Sequence, residues 1–271
     1  MLSIKSNIIA VNAFRHLGIN YVSLAKSIER LSSGVRINSA KDDAAGLAVR
    51  ELMRADIAVL HQSIRNALDG ISMLQTMEGA MGTIDEALIR MRQLAEQAVT
   101  GSYSVSQRAL MNNEFAEMGS EINRIAGATT YNYNTLLNSA TASISIRFGV
   151  NPTDVVTVTG CDMTSSALGL KTASIDTILN AQSALAIVTT AIITKDTARA
   201  MFGYKMRHLD RAISVMNNYA ENLMAAESRI SDVDVATEMA KLTKTKVLTQ
   251  AGVSMLAQAY TVPQMALNLL R

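Results

Sequence analysis

The side chains in this 271-residue chain able to do chemistry are three histidines, one cysteine, 25 basic and 23 acidic residues. His16, His61 and His208 stand alone, with no second ligand at helical spacing, so the pattern offers no metal site. The nearness of His208 to Asp210 reads as surface chemistry. A single cysteine, Cys161, excludes a disulfide scaffold and a four-ligand thiolate zinc site. It fits either a reducing cytosol or an exterior protein without bridges. No glycine-rich phosphate loop, serine elbow or zinc-protease spacing occurs. The reading is therefore not an enzyme, with no cofactor. A net charge of +2 leaves no electrostatic footprint for nucleic acid. The 16 methionines recur at apolar helix positions, where flexible thioethers fill uneven gaps.

The elements around these groups read mostly as helix. Hydrophobic residues make up 49% of the chain, aromatics 4%, and there are only 2 prolines. That composition supports a core and argues against a β-sandwich. Ala10, Phe14, Leu17, Tyr21, Leu24, Ile28 and Leu31 alternate in steps of four and three, the spacing of a coiled-coil seam. Ser32-Ser33-Gly34 stops it, and Ser39 to Asp42 reads as the cap of the next helix. A longer seam from Ile57 to Ala98 predicts a helix from about Asp43 to Val99, about 85 Å long at ~1.5 Å per residue. A shorter helix is expected over about 106–126.

The middle changes period. Tyr131-Asn132-Tyr133-Asn134 is turn chemistry. Ser143 to Phe148 and Val155 to Thr159, separated by Gly149 to Asp154, read as a β-hairpin. Helix resumes near Ile175 with a seam through Phe202, Met206, Leu209, Ile213, Met216, Ala220 and Leu223. From about Val233 onward the chain is apolar on far more than one stripe, which demands burial on nearly all sides. Pro263 is expected to kink or end that helix. The fold class is mainly α, with long antiparallel helices, a coiled coil and a small β-hairpin at the tip. The two ends are expected to stay disordered until other copies cover their stripes. No membrane segment is expected, because the longest strongly apolar stretch, Ala184 to Ile193, is well short of the ~20 residues a span needs. The N-terminus shows no cleavable secretory signal, so export would follow a route that does not cut one.

Arg30-Leu31-Ser32-Ser33-Gly34-Val35-Arg36-Ile37-Asn38-Ser39-Ala40-Lys41-Asp42-Asp43-Ala44-Ala45-Gly46 closely resembles bacterial flagellin. So do Ala226 to Asp234, Gln250 to Ala259, Val262-Pro263-Gln264 and Leu269-Leu270-Arg271. The resemblance spans roughly residues 20–140 and 200–271 and points to a short form without variable outer domains. Met1 to Asn12 depart from the usual opening, and Tyr133 stands where the family has glycine. The resemblance implies a structural subunit that polymerises into the bacterial flagellar filament for motility. It implies an inner coiled-coil domain from residues 1–38 and 234–271, which forms the filament core. Residues 39–233, with a hairpin at about 143–159, would form the outer surface. Linkers near Ser32–Lys41 and Ser231–Asp234 would join the two.

The assembly residues expected on this basis are Leu17, Leu24, Ile28, Leu31, Val253, Leu256, Tyr260, Leu269 and Leu270. The implied partners are other copies, the flagellar export apparatus, an export chaperone, the filament cap and hook-associated proteins, with no nucleic acid and no membrane. The implied location is secreted, extracellular, in the flagellum. The segment Ile89 to Ala95 also resembles the flagellin patch recognised by vertebrate Toll-like receptor 5. Arg90, Leu94 and Glu114 match it, Arg92 lies within it, and Gln93 replaces the usual glutamate. Packing against a neighbouring subunit explains Arg90 and Leu94 equally well. The alternative of a hook–filament junction protein shares the terminal coiled-coil plan.

Overall fold

The computed structural model describes residues 7–139 and 143–269. Five helices dominate: α1 Ile8–Ser33, α2 Ala44–Val99, α3 Val105–Ala128, α4 Ile178–Ser231 and α5 Val235–Leu269. Two antiparallel strand pairs lie between α3 and α4: β1 Thr130–Tyr131 with β2 Asn134–Thr135, and β3 Ser143–Arg147 with β4 Val155–Thr159. The mainly helical class with a small hairpin stands as read. The chain divides into two compact units, Met1–Ala55 with Glu221–Arg271, and Asp56–Ala220.

In the first unit α1 and α5 pair antiparallel. Ser27 meets Glu238 near one end, and Asn7 meets Ala259 near the other. The expectation that these ends stay unpaired until other copies arrive is corrected: they close on each other within one chain. The reason lies in the seam. Its α1 side is Ala10, Ala13, Leu17, Asn20, Leu24, Ser27 and Leu31, all buried or half-buried. Its α5 side is Glu238, Leu242, Thr245, Thr249, Gly252, Leu256 and Ala259. Small residues let the backbones approach closely. A Cβ on Gly252 would already stand 3.1 Å from Leu17 Cδ1. The expected α1 seam is therefore half right. Leu17, Leu24 and Leu31 face α5, but Phe14, Tyr21 and Ile28 sit one position off and stay exposed.

Both ends of this pair are tied down. Gly34 caps α1 in the left-handed region, at φ 73°, and its N–H donates to Arg30 O at 2.9 Å. Glycine adopts that conformation without a Cβ clash. Beyond it the two expected linkers meet. Val35 and Asp232 form an antiparallel bridge, Arg36 N–H donates to Ser231 O at 2.6 Å, and Val233 N–H donates to Gly34 O at 3.1 Å. Ser39 does not cap α2. Asp42 closes a turn by accepting from Asn38 and Ser39 N–H, and Asp43 Oδ1 accepts Gly46 N–H at the helix start.

At the far end α5 continues through Pro263 to Leu269, so that proline does not end the helix. Proline has no N–H, so the carbonyl of Ala259, four residues earlier, loses its donor within the helix. Asn7 Nδ2 donates to that carbonyl at 2.7 Å, while Asn7 Oδ1 accepts Ala10 N–H as the cap of α1. One side chain thus starts one helix and repairs another. Asn7→Ala should cost about 1.5–5 kcal/mol of α1–α5 pairing, the sum of a lost cap and an orphaned carbonyl. Amide exchange at residues 8–14 and 256–262 measures it, and unchanged protection there would contradict the assignment.

The second unit is built on α2. Met73, Leu74, Met77, Met81, Ile84, Leu88, Met91 and Leu94 from α2 are buried, with Phe115 and Ile122 from α3 and Phe202 and Leu209 from α4. Ser104 starts α3 with a reciprocal capping box to Gln107. The β3–β4 hairpin buries Ile146, Val156 and Val158. Gly70 admits it, since a Cβ there would lie 2.5 Å from Ile146 Cδ1. Ser63 Oγ donates to Gly149 O at 3.1 Å, and Lys205 donates to Thr157 O.

Candidate functional site

Among the described residues no group of three or more His, Cys, Asp or Glu is placed to hold a metal ion. His208 is an aromatic packing partner, edge-on to Phe148 at 5.6 Å and parallel to Tyr204 at 6.4 Å. Cys161 is half-buried, and burial together with the charge of Asp162 pushes its thiol above the ordinary value. A protonated thiol is a poor nucleophile.

Two buried cations escaped sequence reading. Lys195 in α4 is almost fully buried, and its ammonium bonds Asp85 of α2 and, at 2.8 Å, Asp196. Arg108 in α3 donates from Nε to Ala98 O at 2.9 Å and from Nη2 to Thr100 O at 3.1 Å, closing the end of α2. Asp85→Asn should destabilise the second unit by about 1–3 kcal/mol, because the buried ammonium loses one of its two anions and keeps only Asp196. Lys195→Met should lie within about 1 kcal/mol of the parent, or be more stable, because the fully buried charge is gone and the Asp85 carboxylate still reaches solvent. Thermal unfolding of the two variants checks the contrast, and equal losses would contradict it.

The candidate receptor patch is split by the fold. Arg90 is exposed and bonds Glu114 through Nε at 2.7 Å and Nη2 at 2.6 Å. Arg92 and Gln93 are exposed beside it, but Leu94 is 1% exposed and belongs to the core. The expected assembly residues divide likewise. Leu17 is buried in the α1–α5 seam, and Leu24, Leu31 and Leu256 are half-buried along it. Ile28, Val253 and Tyr260 point outward. Leu269 ends α5, and Leu270 lies outside the described residues.

The outside of the α1–α5 pair is rich in exposed apolar side chains. Ile8, Ile9, Val11, Phe14, Ile19 and Val22 of α1 are each more than half exposed, as are Val247, Met255 and Tyr260 of α5. Clustered exposed apolar side chains mark surfaces that other proteins cover. The pair is pinned by Glu238, which accepts from Ser27 Oγ at 2.5 Å and lies 3.7 Å from Arg30 and 3.6 Å from Lys241. The Ser27 hydrogen bond, helped by both cations, holds its carboxyl below the usual glutamate range. A depressed pKa stabilises the pair above the ordinary glutamate value, and that share is lost as pH falls through the folded value. Glu238→Gln should flatten the acid limb of α1–α5 unfolding, read by circular dichroism from pH 6 to 2.

A second concave surface, a cavity of about 460 Å³, opens between Leu60, Phe148, Val150, Val215, Met216 and Tyr219. By length and composition α4 is apolar enough to cross a membrane, with an 18-residue window of mean hydropathy 1.3 carried by its isoleucine, leucine, valine and alanine residues. A helix packed inside protein passes the same test.

Comparison with known proteins accounts for these helices. The chain matches the bacterial flagellin N-terminal helical region over residues 4–142 and the bacterial flagellin C-terminal helical region over residues 185–270. It belongs to the bacterial flagellin family. A flagellin of Halalkalibacterium halodurans is 41% identical over 270 residues, covering 99% of each chain. Flagellin FlaB2 of Treponema pallidum is 37% identical over 99% of each. The crystal structure of Bacillus cereus flagellin is similar at a TM-score of 0.51 and 30% identity, covering 60% of this chain and 94% of that one. This chain and the first of these relatives match over nearly the whole of both.

Proposed function

We propose that the chain is the structural subunit of the bacterial flagellar filament, polymerising into an open helical homopolymer for motility. One observation carries this reading: the α1–α5 pair satisfies its own seam yet leaves apolar side chains on most of its outer circumference. Further copies are the natural cover, and heterologous contacts that do not close build filaments rather than rings. Relatives similar along the whole chain are named flagellin and flagellar filament core protein, which supports the reading. Residues 1–38 and 234–271 would form the filament core and residues 39–233 its outer surface. The apolar window of α4 would then serve as packing surface between copies rather than as a span.

The subunit would leave the cell through the flagellar export apparatus, held by an export chaperone, and fold beneath the filament cap above the hook-associated proteins. Outside the cell, Toll-like receptor 5 would meet Arg90, Arg92, Gln93 and Glu114, with Leu94 beneath them. Adding filament seeds to purified chain and viewing the product by electron microscopy tests the function. Micrometre filaments are expected, and a chain that stays monomeric with seeds present would overturn it.

A further inference from the structure

Lys195 is a charge set into an apolar seam. The buried face of α4 runs Ala181, Ala184, Val188, Ala191, Lys195, Ala198 and Phe202, none more than 5% exposed. Its steps alternate three and four, so these residues share one heptad stripe. Every position but one is apolar, and that one carries an ammonium. On α2 the buried residues include Met73, Met77, Met81 and Met91.

These two surfaces specify shape poorly. Alanines offer little relief, and methionine side chains bend to whatever lies opposite. A one-heptad shift of α4 along α2 would move each residue about 10.5 Å, at ~1.5 Å per residue. It would again set apolar residues against apolar ones. Phe202 adds bulk at one end of the stripe, and bulk is the property to which flexible thioethers adapt.

The ammonium has no such latitude. It bonds Asp85 of α2 and, at 2.8 Å, Asp196. Asp196 belongs to α4 and travels with Lys195 in any alignment, so Asp85 alone distinguishes one alignment from another. None of the residues buried along α2 is acidic, so a shifted lysine would lie against an apolar surface. Glu78, one heptad before Asp85, is taken by Arg199 at 3.3 Å, an exposed pair that fits the same alignment.

We propose that the Lys195–Asp85 pair is a register key for α2 and α4, selecting one alignment from several that their apolar surfaces alone would accept. A lone charged residue at a core position gives up stability and specifies alignment. Removing the key should therefore separate the two properties: stability stays or rises, and uniqueness is lost. The key lies wholly within Asp56–Ala220, so its test is independent of the filament reading.

The test replaces both ends in the full-length chain, Lys195→Leu with Asp85→Leu, and labels the methionine methyl groups with carbon-13 for nuclear magnetic resonance. In the parent, Met73, Met77, Met81 and Met91 should each give one methyl resonance. In the double variant the melting temperature should equal or exceed the parent's, while at least two of these methyls split or broaden by exchange. Val188→Ala, a core change that keeps the key, should retain single resonances. A double variant with single sharp resonances, or splitting in Val188→Ala as well, would overturn the proposal. A double variant that melts below the parent would make the pair a stabilising contact and overturn it too. If the double variant does not melt cooperatively, Lys195→Leu alone carries the same expectation, because Asp85 still reaches solvent. Loss of the fold in both would make the pair a requirement for stability, again overturning it.

Discussion

A chain lacking Val247–Arg271 is expected to form no filaments at any practical concentration while remaining soluble and partly folded. The deletion takes Thr249, Gly252, Leu256 and Ala259 from the α5 seam. Leu17 and Ala10 of α1 then lose the surface that buries them. A buried leucine contributes ~1.5–3 kcal/mol, and helix segments below ~12–15 residues are marginal alone in water. The first half of α1 should therefore unravel together with its partner. The exposed apolar surface outside the seam goes with it, because Val253 and Tyr260 are removed and the α1 residues lose their frame. Asp56–Ala220 keeps its core of α2, α3 and α4 side chains and its buried Lys195–Asp85 pair. It should still unfold cooperatively. Seeded polymerisation reads the first effect, and thermal circular dichroism the second. Filaments from the truncated chain, or loss of the cooperative transition, would contradict the assignment of assembly to these helices.

Where the sequence could be read, punctuation and period agreed. Ser33-Gly34 ended α1, Thr100-Gly101 followed the end of α2, and the alternation of Ser143 to Arg147 marked β3, because glycine and serine disfavour helix interiors and period two fits only a strand. The seam of α1 was misplaced for a physical reason. Reading by size favoured Phe14, Tyr21 and Ile28, whereas helices that pack closely meet through Ala13, Asn20 and Ser27, leaving the large residues outside. Pro263 read as a kink or stop because the carbonyl it orphans, that of Ala259, is repaired by Asn7, 252 residues before Ala259. Lys195 and Arg108 went unread, since their partners are a carboxylate 110 residues distant and the carbonyls of a helix end. Local pattern does not encode such pairings.

Leu94→Ala is expected to destabilise the second unit by about 2–5 kcal/mol, the range for truncating a fully buried leucine. Leu94 is 1% exposed, with Ala95, Met91 and Ala98 equally enclosed on the same helix. The cavity left by its isobutyl group cannot collapse without moving α2. At ~2–4 °C per kcal/mol for a unit of this size, the melting transition should fall by roughly 5–15 °C. Arg90→Ala should cost less than about 1 kcal/mol, because its pair with Glu114 lies in solvent. This asymmetry governs any test of receptor recognition. A double change of Arg90 and Leu94 would lose activity through the fold whatever the receptor touches. Arg90→Ala alone leaves the core intact, so its reporter-cell response isolates recognition from stability. A Leu94→Ala chain that melts like the parent would place Leu94 at the surface and restore it as a candidate anchor.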